Sequence, residues 1–232
     1  LCGKSIGSMK SSTLGFERKY NPALQPRSQS EFVAFATSEL PNQPANHTRI
    51  KAMNRKGPKA LGEVSPKPIN IKEAVEIFQK GAALLDTRSK EEFAKAHIPG
   101  SVHIEFDSQL SNRIGFMLPS DAPIVLLLED TSQYKEIVYM LARVGYENVL
   151  GYLSESLQAW EQAGLPLTAG YVIDVEPEEL SHMLETCSNG NCPTVVDVRE
   201  AWEYQQGHVP GAKLIPLGQL SNRLSELNPE KP

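Results

Sequence analysis

The chain has 232 residues and a mass of 25.6 kDa, which at ~150 residues per domain allows about one and a half domains. Hydrophobic residues make up 40% and charged residues 22%, a globular balance that excludes wholesale disorder; the longest aliphatic run, 124–128, is far short of the ~20 apolar residues of a membrane-spanning helix. Net charge is −5, divided unevenly: residues 1–65 carry ten Lys/Arg against four Asp/Glu, and residues 66–232 carry thirteen against twenty-four.

The basic portion, 1–65, has too little apolar material to close a core. Helices are expected at 13–20 and 31–40; the second has Phe32, Phe35 and Ala36 at helical spacing and Ser30 as its cap. Asn21-Pro22, Pro26, Pro41, Pro44 and the Gly57-Pro58 turn break the rest. Lys4, Lys10, Arg18, Arg27, Arg49 and Lys59 are scattered and no nucleic-acid motif accompanies them, so we expect no nucleic-acid partner but a tail covering an acidic neighbour. A start at Leu1 rather than Met leads us to expect a fragment or processed product, and no secretory leader is expected. Three cysteines do not make a disulfide scaffold and suit a reducing cytoplasm.

From Ile69 the texture changes to alternating strand and helix. Strands are predicted at 69–71, 83–86, 102–104, 124–128 and 148–150. Helices are predicted at 72–79, 89–96, 134–144 and 157–163; Gly145 stops the third and Gly164-Leu165-Pro166 closes the last. This order means βαβ units, hence an α/β fold with a parallel sheet flanked by helices. An internal repeat sharpens it. Residues 84–100 read LLDTRSKEEFAKAHIPG and 195–211 read VVDVREAWEYQQGHVPG, so that Asp86, Arg88, His97, Pro99 and Gly100 recur as Asp197, Arg199, His208, Pro210 and Gly211 at an offset of 111. Gln-Leu-Ser-Asn-Arg also recurs, at 109–113 and 219–223. One complete copy is assigned to 67–168 and a truncated one to 169–232. The histidines invite a catalytic role, but a His before Pro-Gly in a turn anchors backbone groups more readily, and Asp-x-Arg at a strand end makes a scaffold pair.

The pattern Asp-x-Arg-x3-Glu-[Phe/Tyr]-x3-His-[Ile/Val]-Pro-Gly, present twice, resembles the rhodanese family. The resemblance implies sulfurtransferase chemistry: a cysteine thiolate at the end of the fourth strand, in a Cys-x4-Arg loop at a helix N-terminus, takes sulfane sulfur as a persulfide. Counted back from Gly145-Tyr146-Glu147-Asn148-Val149, the nucleophile's place falls on Leu128 or Glu129, so the first copy is expected to be catalytically silent and no catalytic residue is assigned. Ser154 and Glu155 stand where the family has glycines. The second copy stops before its own loop. An arsenate reductase or phosphatase of this fold would need Cys-x5-Arg, which is absent.

Cys187 and Cys192 flank an insertion in the second copy. They are expected to be two exposed loop thiols, with a redox pair or half a metal site as alternatives. Cys2, in Leu1-Cys2-Gly3-Lys4-Ser5-Ile6-Gly7, lacks the spacing of a phosphate loop. Residues 1–66 resemble the C-terminal tail of a metallo-β-lactamase-fold domain, as in persulfide dioxygenase–sulfurtransferase fusions. That resemblance implies an upstream metallo-β-lactamase-like partner carrying mononuclear iron or zinc, with no metal or other cofactor in this chain. It also implies small sulfur-containing substrates, with no membrane partner and homo-oligomerisation left open. The rival expectation is a non-catalytic module that positions or dimerises such an enzyme.

Overall fold

A computed structural model describes residues 11–38, 43–58, 60–170, 174–187 and 192–228, which divide into one unit up to Pro41 and a second from Asn42 onward. In the first unit, helix α1 (Leu14–Tyr20) is capped by Thr13, whose hydroxyl accepts from Phe16 N at 3.2 Å. Helix α2 (Gln29–Thr37) starts earlier than its apolar spacing suggests. The cap is Ser28 rather than Ser30, because only Ser28 has a glutamate, Glu31, three residues on to complete a capping box. Positions 39 and 40, at the expected helix end, lie outside the described residues. Neither helix buries a residue within this unit.

The second unit opens with helix α3 (His47–Lys56). Nothing in the sequence announces it: its cap residue Asn46 makes no side-chain cap bond and its first turn has no acid. The first copy then runs β1 (Pro68–Ile69), α4 (Ile71–Gln79), β2 (Ala83–Asp86), α5 (Lys90–Lys95), β3 (Val102–His103), α6 (Leu110–Met117), β4 (Ile124–Leu127), α7 (Tyr134–Arg143), β5 (Val149–Leu153) and α8 (Leu157–Gln162). The five strands are all parallel in the order β1-β5-β4-β2-β3. Leu85, Ile124 and Leu126 face a cluster with Leu110, Ile114, Ile137, Leu141 and Tyr146, whereas Leu84, Val125 and Leu127 face Ala74, Leu153 and Trp160. Neighbouring residues on one strand thus enter opposite clusters, and that is why the central strands are apolar up to Asp86, which closes β2.

The second copy comprises α9 (Pro177–Thr186), β6 (Val196–Asp197), α10 (Ala201–Gln206), β7 (Lys213–Leu214) and α11 (Leu217–Arg223). Its strands repeat the first copy's register residue for residue. Leu85 pairs with Val102 and Asp86 with His103; at the offset of 111, Val196 pairs with Lys213 and Asp197 with Leu214. In both copies the Pro-Gly turn feeding the next strand places glycine at positive φ, +81° at Gly100 and +82° at Gly211, the second central position of a Pro-Gly turn. Helix α11 lies against α6, and the two share the Gln-Leu-Ser-Asn-Arg repeat.

Helix α3 is strapped to the first copy. Ala45 N donates to Gly115 O at 2.7 Å, Asn46 Nδ2 donates to Val144 O at 2.9 Å, and Arg49 pairs with Glu147 at 3.3 Å. Asn46 is 3% exposed, and a Cβ on Gly115 would stand 2.7 Å from its Oδ1 and 2.8 Å from Pro44 Cβ. In an unobstructed helix Gly→Ala adds up to ~1 kcal/mol. Here Gly115→Ala should instead cost about 1–3 kcal/mol by overpacking the strap; a urea midpoint that rises would refute this. Tyr146 supplies a pH test. Its buried hydroxyl donates to Leu118 O at 2.7 Å and Ile114 O at 3.2 Å, and burial pushes it up to about 12. The neutral form is the one the fold holds, so this contribution is complete below the ordinary value of 10 and is lost as pH rises toward 12. In Tyr146→Phe the corresponding alkaline slope in thermal stability should disappear.

Candidate functional site

The repeat residues converge at the carboxyl ends of β2 and β6. Asp86 closes β2 with no exposed surface, and Arg88 folds back over it: Nε donates to Oδ1 at 2.9 Å and Nη2 to Oδ2 at 2.6 Å. The Arg88 backbone N also donates to Oδ1, at 3.1 Å, and Nη2 reaches on to Ala96 O at 2.9 Å. The second copy reproduces each bond. Arg199 Nε lies 3.0 Å from Asp197 Oδ1, Nη2 lies 2.6 Å from Oδ2, and Nη2 is 2.9 Å from Gly207 O. The side chain of Arg199 is 44% exposed, however, against 11% for Arg88.

Each histidine sits directly after the carbonyl its arginine binds. His97 Nδ1 lies 2.9 Å from Phe93 O and its ring stacks on Phe93 at 4.0 Å; His208 Nδ1 lies 2.8 Å from Tyr204 O and stacks on Tyr204 at 3.6 Å. A carbonyl only accepts, so both Nδ1 atoms carry the proton. The His97 backbone also forms an antiparallel bridge with Thr168, closing the first copy. Pro99, Gly100, Pro210 and Gly211 form the turns that follow. His103, which sequence reasoning missed, covers the other face of Phe93 at 4.3 Å with Nε2 2.8 Å from Arg88 O. Leu214 replaces it in the second copy, so the repeat gave no signal for it.

Leu128 and Glu129 leave the end of β4 beside this fork. Leu128 packs on the core, and the Glu129 carboxylate turns to accept from Ser89 N at 3.1 Å. Thr87 binds Leu127 O through both its N (2.9 Å) and its Oγ1 (3.1 Å), tying the two strand ends together. Asp130 accepts from Ser132 N at 2.8 Å, and hydrogen bonds from that residue hold its carboxyl below the ordinary range. The loop 128–133 therefore presents two carboxylates and no cation, and Arg88 is engaged by Asp86 and Ala96. The loop is therefore negatively charged, and it contains no cysteine. At the neighbouring strand end, Glu155 accepts from Ile71 N at 2.6 Å and Ser154 Oγ donates to Ile69 O at 3.0 Å, so both positions carry structural bonds.

The expected loop thiols are corrected by the structure: Cys187 and Cys192 form a disulfide. Cys187 ends α9 as its C-cap, and the chain returns within five residues to bring the Cα atoms to 5.1 Å. Among the described residues no group of three His, Cys, Asp or Glu is placed to hold a metal ion, and no helix is long and apolar enough to cross a membrane.

A strand–helix repeat with an Asp-Arg fork at each strand end defines a rhodanese-like protein. The rhodanese-like domain model matches residues 70–163 and 176–232, well over half of the chain, and the chain belongs to that family. Thiosulfate sulfurtransferase GlpE of Haemophilus influenzae (strain PittEE) is 30% identical over 108 residues, 47% of this chain and all of that protein. The crystal structure of a metallo-beta-lactamase from Staphylococcus aureus subsp. aureus COL is similar at 28% identity and a TM-score of 0.52, over 65% of this chain and 41% of that one. The chain thus spans about two fifths of that protein.

Replacing Asp86 by Ala leaves Arg88 buried without its anion and should cost about 3–5 kcal/mol. Asp197→Ala should cost clearly less, because solvent reaches Arg199. Hydrogen bonds from Arg199 hold the Asp197 carboxyl below its ordinary 3.8, so its contribution is present above that value and fades as pH falls. Chemical denaturation of the two variants at neutral pH checks the ranking, and equal losses would contradict it.

Proposed function

We propose that this chain is the rhodanese-bearing part of a sulfane-sulfur-metabolising protein and that its first copy is catalytically silent. Membership of the rhodanese family and the likeness to a thiosulfate sulfurtransferase support the substrate class, small persulfides or thiosulfate. The likeness to a metallo-beta-lactamase supports a fusion in which residues 1–66 follow such a domain, whose own metal, iron or zinc, lies outside this chain. A cytoplasmic setting without nucleic-acid partners belongs to the same proposal. The observation that carries silence is the Glu129 bond to Ser89 N: at the strand end where a thiolate would act stands a carboxylate, held in place.

A sulfurtransferase thiolate breaks the S–S bond of its donor and keeps the outer sulfur; a carboxylate at pH 7 repels that donor and forms no persulfide. The remaining fork, turn and ring stack then serve as scaffold. The strap of α3 favours one role for that scaffold, a module that positions its upstream neighbour, because it fastens the preceding segment to this copy through three separate bonds.

With thiosulfate and cyanide the chain should form thiocyanate no faster than buffer, and titration with thiosulfate should show no binding at 129–133. Thiocyanate formation that persists when all three cysteines are replaced by serine would overturn the silence of the first copy. Thiosulfate binding that weakens when residues of the 129–133 loop are changed would replace the positioning role with a substrate-holding one.

A further inference from the structure

The two cysteines at the insertion have no part in the fork, the turns or the core. They lie at the amino end of β6, whereas the Asp197–Arg199 fork lies at its carboxyl end, so the pair sits on the opposite edge of the sheet from the site above. The first copy makes the same passage, from α4 to β2, through only Lys80, Gly81 and Ala82. The second copy spends extra residues there, and the insertion is bounded by sulfur on both sides. Both cysteines are half-buried, so a small reagent has access.

Half a metal site requires further ligands, and no group of three is present among the described residues. A structural staple gains most when it joins distant segments; a bridge between residues five apart closes a short loop and removes less chain entropy than a bridge across a long one. Two thiols held this close are instead suited to exchange, one attacking and the other resolving.

We propose that Cys187 and Cys192 form a thiol–disulfide site that reduces small persulfides. It rests on the sulfane-sulfur reading above for its substrate class. Cys187 Sγ lies 3.2 Å from Leu184 O at the carbonyl end of α9, where the helix dipole disfavours an anionic sulfur. Cys192 is one S–S bond further from those carbonyls and makes the attack. Its thiolate bonds to the outer sulfur of R–S–SH; the R–S bond to that sulfur breaks, and R–S⁻ leaves and takes a proton to become R–SH. Cys187, giving up its proton, then attacks Cys192 Sγ, forms the disulfide seen in the structure and expels the outer sulfur as HS⁻. The two electrons that reduce the sulfane sulfur come from the two thiols, and an external dithiol restores them by exchange.

The test is a single turnover, without air or added reductant. The full chain carrying Cys2→Ser is reduced, freed of reductant and mixed with one equivalent of glutathione persulfide. Sulfide should appear with the loss of two thiols per chain, and peptide mapping should find Cys187 joined to Cys192. Cys187→Ser in that background should release no sulfide and should retain one added sulfur atom on the Cys192 peptide. Cys192→Ser should do neither. Sulfide release no greater than from the chain lacking all three cysteines, or release that persists in Cys192→Ser, overturns the proposal. The thiocyanate assay is independent: turnover surviving without any cysteine sinks the silence of the first copy and leaves this site untouched, whereas failure here leaves that silence standing.

Discussion

A carboxylate removed from water needs an opposite charge, and in this fold that need is met two residues away. Asp86 ends a buried strand and Arg88 clamps it, and the same Nη2 that binds Asp86 also donates to Ala96 O, one residue before His97. One side chain therefore fixes three things: where β2 stops, how α5 is placed after it, and where the turn into β3 begins. The second copy has the same bonds at distances within 0.1 Å, although its arginine is far more exposed than Arg88. The clamp's shape is thus set by its own spacing, and burial decides only how much its loss costs.

The loop after β4 leaves a different strand from the one the clamp closes. The bonds of Asp86 and Arg88 described above do not reach that loop. In this chain Glu129 has become part of the frame, bridging to the start of α5 through Ser89 N. Glu155 does the same at the N-terminus of α4, where its carboxylate meets the positive end of the helix. In both places a carboxylate occupies a helix start with a structural bond, and a place that could receive an anion from solution receives one from the chain itself.

Much of the fold was legible because parallel strands buried on both faces leave unbroken aliphatic runs, as at 83–85 and 124–127, and because the repeat marks where each copy's clamp falls. The absence of a cysteine at 128–133 was legible too, since it is visible without coordinates. Two helices before residue 169 escaped, as did α9, α10 and α11 of the second copy. Neither α3 nor α6 has a side-chain cap bond, and Gly115 sits inside α6 where propensity argues against a helix. For α6 the recurring Gln-Leu-Ser-Asn-Arg was the available signal. The cysteine pair escaped for another reason. A spacing of five in sequence does not by itself say how far apart the two Cα atoms lie, and the structure places them 5.1 Å apart.

The close approach of Gly115 to Pro44 and Asn46 bears on how this domain can travel through evolution. The change of texture near Ile69 looks like a natural seam, yet a recombination there would leave Gly115 O and Val144 O without the donors they now have and would open a slot over α6 and α7. Residues 44–56 therefore belong with the domain after them: a boundary drawn upstream of Pro44 keeps the strap, and one drawn at Ile69 cuts it.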